Sequence, residues 1–116
     1  YVDGFVAPVP SKNIDAYKAI AEKAAKIWME YGALSYVESV ADDVETGEVT
    51  SFPQSVNLEK GEVVVFSWIT YKSREHRDEV LEKVMSDPRM ADMENENMPF
   101  DGQRMMWGGF KKIIDL

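Results

Sequence analysis

The chain has no cysteine and one histidine among its 116 residues. The missing thiols exclude disulfides, thiolate nucleophiles and cysteine-held metals, and a cytoplasmic setting fits best. His76 alone supplies neither a transition-metal set nor a Ser-His-Asp arrangement. The acidic pairs Asp42-Asp43 and Glu94-Glu96 lack the spacing of a calcium loop, so no metal is expected. Glycines are few, and Gly108-Gly109 stands alone inside a strand-like pattern, without the helix a phosphate cradle needs. No cofactor is expected. Basic residues are also scarce: 13 Lys and Arg against 21 Asp and Glu give a net charge of -8. Phosphate backbones and anionic membrane surfaces call for the opposite balance, so neither nucleic acid nor membrane is an expected partner. No apolar run approaches the roughly 18 residues of a spanning helix, and no signal peptide is recognisable before the first strand.

What the sequence does contain is an ordinary globular mixture, 45% hydrophobic and 29% charged, with length for one domain over residues 1–116. Its most telling stretch is Glu62 to Tyr71, rich in β-branched and aromatic residues and free of glycine and proline. Val63, Val65, Ile69 and Tyr71 point one way, and Val64, Phe66 and Trp68 the other. A strand apolar on both sides is covered on both sides.

Around it, residues 1–7 read as a first strand ended by Pro8 and Pro10. Ser11 or Asn13 is placed to cap a helix running to Tyr31, with Ile14, Tyr17, Ala21, Ala24, Ala25 and Trp28 on one face and Gly32 stopping it. Ala33 to Ala41 alternates as a second strand, its set Leu34, Tyr36, Glu38 and Val40 opposite Ser35, Val37 and Ser39. The connection of roughly 20 residues that follows is long for a structureless link, so Val49–Phe52 or Gln54–Leu58 is expected to carry local order. Ser73 caps a second helix through about Met85, with Val80, Leu81 and Val84 inside and Asp87-Pro88 ending it. Residues 88–102 read as irregular, and Gln103 to Leu116 as a last strand with a bulge or close approach at Gly108-Gly109.

The order β-α-β-β-α-β predicts an α+β, ferredoxin-like fold: a four-stranded antiparallel sheet with two helices on one face. The other face is then bare in a lone chain. Four strands about 20 Å long present on the order of 400 Å² of flat surface, enough to mark a partner site. A homodimer packed sheet to sheet is the simplest closed solution.

Asp3-Gly4-Phe5-Val6 with Pro8-Val9-Pro10, Gly32-Ala33-Leu34 with Tyr36-Val37-Glu38, and Thr50-Ser51-Phe52-Pro53 form one part of a wider pattern. Val64-Val65-Phe66-Ser67-Trp68, Asp87-Pro88-Arg89-Met90, Met98-Pro99-Phe100-Asp101 and Gly108-Gly109-Phe110 continue it. Together they resemble the YbaA-like bacterial proteins of unknown function, over essentially the whole chain. The resemblance implies a dimeric α+β barrel. That superfamily holds cofactor-free monooxygenases, lactone isomerases and haem enzymes as well as proteins without known chemistry, so fold says little of function. No catalytic residue is carried over.

His76, between Glu75 and Arg77 in the first turn of its helix, reads as a solvated residue before it reads as a base. The arginines are more telling. Arg74 and Arg77 oppose the dipole of their helix, Arg89 follows its end, and Arg104 opens the last strand. Pairing with Asp78, Asp87 or Asp101 outweighs anion binding as an account of them. If one arginine holds Asp101, a leftover arginine becomes the anion-binding candidate. Trp68, Met98, Phe100, Met105, Met106 and Trp107 fill a core or line a pocket. These residues give a candidate cleft under segment 86–102, between sheet and helices, for a small and weakly acidic organic molecule. Its candidate binding residues are Trp68, Arg74, Arg77, Met98, Phe100, Asp101 and Arg104, with Trp68 and Phe100 as walls and Arg74 or Arg104 holding an anion. Two alternatives stand beside it: a non-enzymatic structural or stress-associated homodimer, and a cofactor-free monooxygenase or isomerase by superfamily analogy.

Overall fold

The computed structural model describes residues 1–94 and 97–116; Glu96 of the acidic pair noted above lies outside the described residues. Four strands, β1 (Val2–Pro10), β2 (Ser35–Val40), β3 (Glu62–Thr70) and β4 (Met106–Phe110), form one antiparallel sheet in the order β2-β3-β1-β4. The helices are α1 (Ile14–Glu30), α2 (Phe52–Ser55), α3 (Arg74–Met85) and α4 (Pro88–Glu94). The fold is the ferredoxin-like α+β arrangement expected from the element order.

β3 lies at the centre because its apolar side chains suit burial on both faces. Tyr1 and Tyr71, which flank the paired ends of β1 and β3, exchange backbone hydrogen bonds, so the odd-numbered residues of β1 direct their N–H groups toward β3. The even-numbered Pro8 and Pro10 then direct their nitrogens away from β3. On that side β4 reaches only to the Val6–Met106 pair. Pro8 and Pro10 therefore extend β1 rather than end it, because the donors they lack would have met no strand.

The register divides the side chains cleanly. Asp3, Phe5 and Ala7 of β1, Val65, Ser67 and Ile69 of β3, and Tyr36, Glu38 and Val40 of β2 share the helix-covered face. Val2, Gly4, Val6, Val64, Phe66, Trp68, Met106 and Phe110 share the other.

α1 turns its buried Ala21, Ala24, Ile27 and Trp28 to the sheet. Asn13 stands at its N-cap but makes no capping bond; its amide donates instead to the Pro99 carbonyl at 2.9 Å. At the other end Gly32 has φ 106°, and the bonds from Gly32 N to Met29 O and from Ala33 N to Trp28 O close a Schellman motif. Ser73 caps α3, its hydroxyl accepting from His76 N–H at 3.0 Å.

Three stretches depart from the sequence-based expectation. Residues 88–94 are helical, with Pro88 at the first helical position, where its missing N–H costs nothing. The last strand is confined to Met106–Phe110, preceded by a 3-10 turn at Gly102–Arg104. Gly4 and Gly108 pair in register without a bulge, and the close approach lies at Gly109, against the Tyr1 ring. Nor is the second sheet face wholly bare. The segment carrying α2 folds under one end of it, burying Val56 against Val6 and Val64 and setting Phe52 edge-on to Phe66.

Candidate functional site

Between the sheet and the helices lies a cavity of about 440 Å³. Its floor is the helix-facing side of the sheet, with Phe5, Tyr36, Glu38, Ser67 and Ile69. α1 supplies Tyr17, Ile20, Ala21, Ala24 and Trp28, and Leu81, Met90 and Met93 come from α3 and α4. Residues 97–105 border it, with Met98, Phe100 and Met105 on the lining. Ala21 and Ala24 on α1 leave this room, because a methyl group is too short to fill it. Phe100 stands edge-on to Tyr17 at 5.4 Å, and the Asn13–Pro99 bond fastens this flap to the start of α1.

The lining is apolar with one conspicuous exception. Glu38 sits on the inner side of β2, and the Tyr17 hydroxyl donates to its Oε2 at 2.7 Å. Tyr36 and Ser67 line the cavity beside it, and their hydroxyls favour its charged form. Burial nevertheless wins, and the Glu38 carboxyl is held above its ordinary value. Tyr17 and Tyr36 are pushed up as well, by burial first and by the Glu38 charge second, so both are neutral donors at physiological pH. A second cavity of about 300 Å³ shares Tyr17, Ala21, Tyr36 and Glu38 with the first and is rimmed by the exposed Lys18 and Glu22.

Asp3 also lines the larger cavity, but its carboxylate is occupied. Arg77 Nη1 binds Asp3 Oδ1 at 2.7 Å, Arg77 Nε binds Asp78 at 2.8 Å, and the guanidinium lies 5.1 Å over the Tyr1 ring. Burial pushes the Asp3 carboxyl up against the pull of Arg77. Beside this pair Trp28 Nε1 donates to the Tyr71 hydroxyl at 3.0 Å, and burial pushes that tyrosine up to about 12.

The expected binding residues separate into three groups. Met98 and Phe100 do line the cavity. Trp68 does not: it stands on the opposite sheet face, as its parity with Val65 demands, and cannot wall a pocket with Phe100. The arginines are engaged or outside. Arg77 is buried on Asp3. Arg104 binds Glu62 at 2.6 Å, Asp101 at 3.0 Å and the Asn57 carbonyl at 3.0 Å, which pins the start of β4 to the loop before β3. Asp101 is thus held by Arg104, and it also caps the Gly102–Arg104 turn. Arg74 is exposed and makes no ion pair among the described residues, yet it lines neither cavity.

Arg89, the fourth of the set, clips the end of α1 through Glu30 at 2.6 Å and Asp87 at 2.9 Å. The Tyr31 hydroxyl adds 2.7 Å to Asp87. His76 accepts from Lys72 N–H at 3.0 Å through Nδ1 and stands edge-on to Tyr71, a structural use of the ring. Glu38 is not among the residues expected from the sequence, although it stands in the same alternating set as Tyr36 and Val40.

The chain matches, over residues 1–102, the family described as "Protein of unknown function (DUF1428)". It belongs to that family. Across 115 residues it is 55% identical to "Uncharacterized protein YbaA" of Escherichia coli (strain K12), covering 99% of this chain and 97% of the relative. The proteins of that name from Escherichia coli O157:H7 and Shigella flexneri match to the same extent. Among the described residues no helix is long and apolar enough to cross a membrane.

Proposed function

We propose that this protein binds a small, neutral, largely apolar organic molecule in the cavity between the sheet and α1, α3 and α4. One observation carries the reading: a cavity of about 440 Å³ is lined by aromatic, alanine and methionine side chains, with polar groups gathered at Glu38. A neutral ligand fits better than the anion expected from the arginines. Arg77, Arg89 and Arg104 already hold carboxylates, and among the described residues the charged groups lining the cavity are the carboxylates of Glu38 and Asp3. A thermal-shift screen tests this reading. Neutral ketones, phenols and quinones raise the melting temperature with increasing concentration, and matched carboxylates do not. A flat response to every neutral compound contradicts it.

The reading includes a homodimer, in the cytoplasm of a bacterium. The support is the sheet face away from the helices, where Phe66 is 42% and Phe110 61% exposed. The Gly4–Gly108 pair leaves the sheet flat beneath Phe110. A second copy presents the same flat apolar surface, and an isologous contact shields both at once.

A further inference from the structure

We propose that Glu38 is a catalytic base that removes a proton from carbon next to the carbonyl of a neutral, apolar ketone or enone held in the cavity. The inference rests on the binding reading above and adds a reaction to it.

The argument starts from cost. The ion pairs among the described residues engage Asp3, Glu30, Glu59, Glu62, Asp78, Asp87, Asp101 and Asp115, and none engages Glu38. A carboxylate facing an apolar space without a cation loses hydration that hydroxyl groups restore only in part. A glutamine or leucine at this point of β2 would pack with less penalty. Such a group, perturbed by burial and ringed by donors inside a cavity, is the pattern expected of a working acid or base.

The neighbours narrow the chemistry. From α1 the Tyr17 hydroxyl faces the carboxylate, with Lys18 and Glu22 at the rim of the smaller cavity. From β2 comes Tyr36 and from β3 Ser67; across the larger cavity Asp3 of β1 is neutralised by Arg77 of α3. Among the described residues there is no cysteine for nucleophilic attack, and the one histidine is bound into a turn. What remains is proton transfer assisted by neutral hydroxyl donors.

In the proposed step a carboxylate oxygen of Glu38 takes the proton, and the C–H bond breaks. Its electron pair forms the enolate C=C bond while the carbonyl π pair moves onto oxygen. Negative charge thus leaves Glu38 and appears on the ligand. Hydroxyl hydrogens are free rotors, so Tyr36 or Ser67 can turn from the carboxylate to the new oxyanion as the charge moves. Return of the proton to the same carbon restores the ketone. For a β,γ-enone the dienolate extends to the γ carbon, and return of the proton there moves the double bond into conjugation with the carbonyl. Neither outcome needs an oxidant, reductant or second substrate. Because Glu38 borders both cavities, solvent on the Lys18 side can replenish its proton while the ligand occupies the other.

The test uses 2-tetralone in D2O at neutral pD, with loss of its C1 protons followed by NMR. The intact protein should accelerate exchange over buffer, and Glu38→Gln should slow it by about 100-fold or more. Tyr17→Phe should still exchange the probe, with the rising limb of its pH profile moved upward, since the lost hydrogen bond favoured the carboxylate. Circular dichroism confirms the fold of each variant. Exchange by Glu38→Gln at the wild-type rate overturns the proposal. So does a protein whose melting temperature 2-tetralone raises but which leaves exchange at the buffer rate; binding then stands and catalysis falls. No melting shift with 2-tetralone or with any other neutral apolar compound removes the binding reading and the catalytic one together.

Discussion

The Tyr17 hydroxyl and the Glu38 carboxylate meet at 2.7 Å, joining the first turns of α1 to β2 beside an open cavity. The bond offsets part of the desolvation of Glu38 but leaves its carboxyl above the ordinary 4.5. A carboxyl raised in the folded state is tolerated in full below its unfolded value and weighs against folding once pH passes its folded value. Glu38→Gln, which keeps an acceptor for Tyr17, is therefore expected to melt at or above the wild-type temperature at neutral pH. The difference should vanish toward pH 4. Scanning calorimetry across this range checks it, and a large loss of stability at neutral pH would show that the charge helps the fold.

The opposite sign applies to the Asp87 clip. Hydrogen bonds from Arg89 and Tyr31 hold the Asp87 carboxyl well below 3.8, and Arg89 holds Glu30 below 4.5. Their contribution is present above the ordinary carboxylate values and is lost as pH falls through the lowered ones. Arg89→Ala should lower the melting temperature at neutral pH, and the gap to wild type should start to narrow below about pH 3.8 and close only as the Asp87 carboxyl itself takes up its proton. A gap independent of pH would assign the loss to packing.

Asp3, Arg77, Tyr1 and Gly109 form one interlocked corner. Removing Asp3 leaves a buried guanidinium with only the exposed Asp78 as partner. Asp3→Ala should cost about 3 kcal/mol in urea unfolding, at the lower end for a broken buried pair. A Cβ at Gly109 would run into the Tyr1 ring, so Gly109→Ala should cost about 1–3 kcal/mol by overpacking. Gly108→Ala, whose nearest neighbour is the Phe110 ring at 3.6 Å, should cost less.

The two faces of β3 give the dimer its test. Trp68→Asp places a charge on the uncovered face and should yield a folded species at the single-chain mass in sedimentation equilibrium. Val65→Asp places it on the helix side, where Val65 is 3% exposed, and should unfold the chain instead. A folded Trp68→Asp protein at twice the chain mass would contradict the sheet-to-sheet arrangement.

Much of this was legible in the residues themselves. The strand at β3, the Ser73 cap and the Gly32 stop follow from local chemistry and stand in the structure. Contacts between distant segments were not. Asp3 lies 74 residues from Arg77, so the neighbouring Asp78 was the visible partner and the buried one was hidden. Alternation in β2 groups Glu38 with Tyr36 and Val40 on the more apolar side, but nothing local shows the Tyr17 hydroxyl, 21 residues away, that meets it. Trp68 was grouped with Phe100 by composition, although its parity in β3 already set it on the other side.

The binding cavity admits one direct measurement, because methionines mark it from within. Met85, Met90, Met93, Met98 and Met105 line it, whereas Met29 and Met106 do not. With methyl-labelled methionine, titration of 2-tetralone should shift the lining methyl signals in NMR and leave those of Met29 and Met106 in place. Signals that stay still throughout, or that move only at Met29 and Met106, would contradict a ligand site between the sheet and its helices.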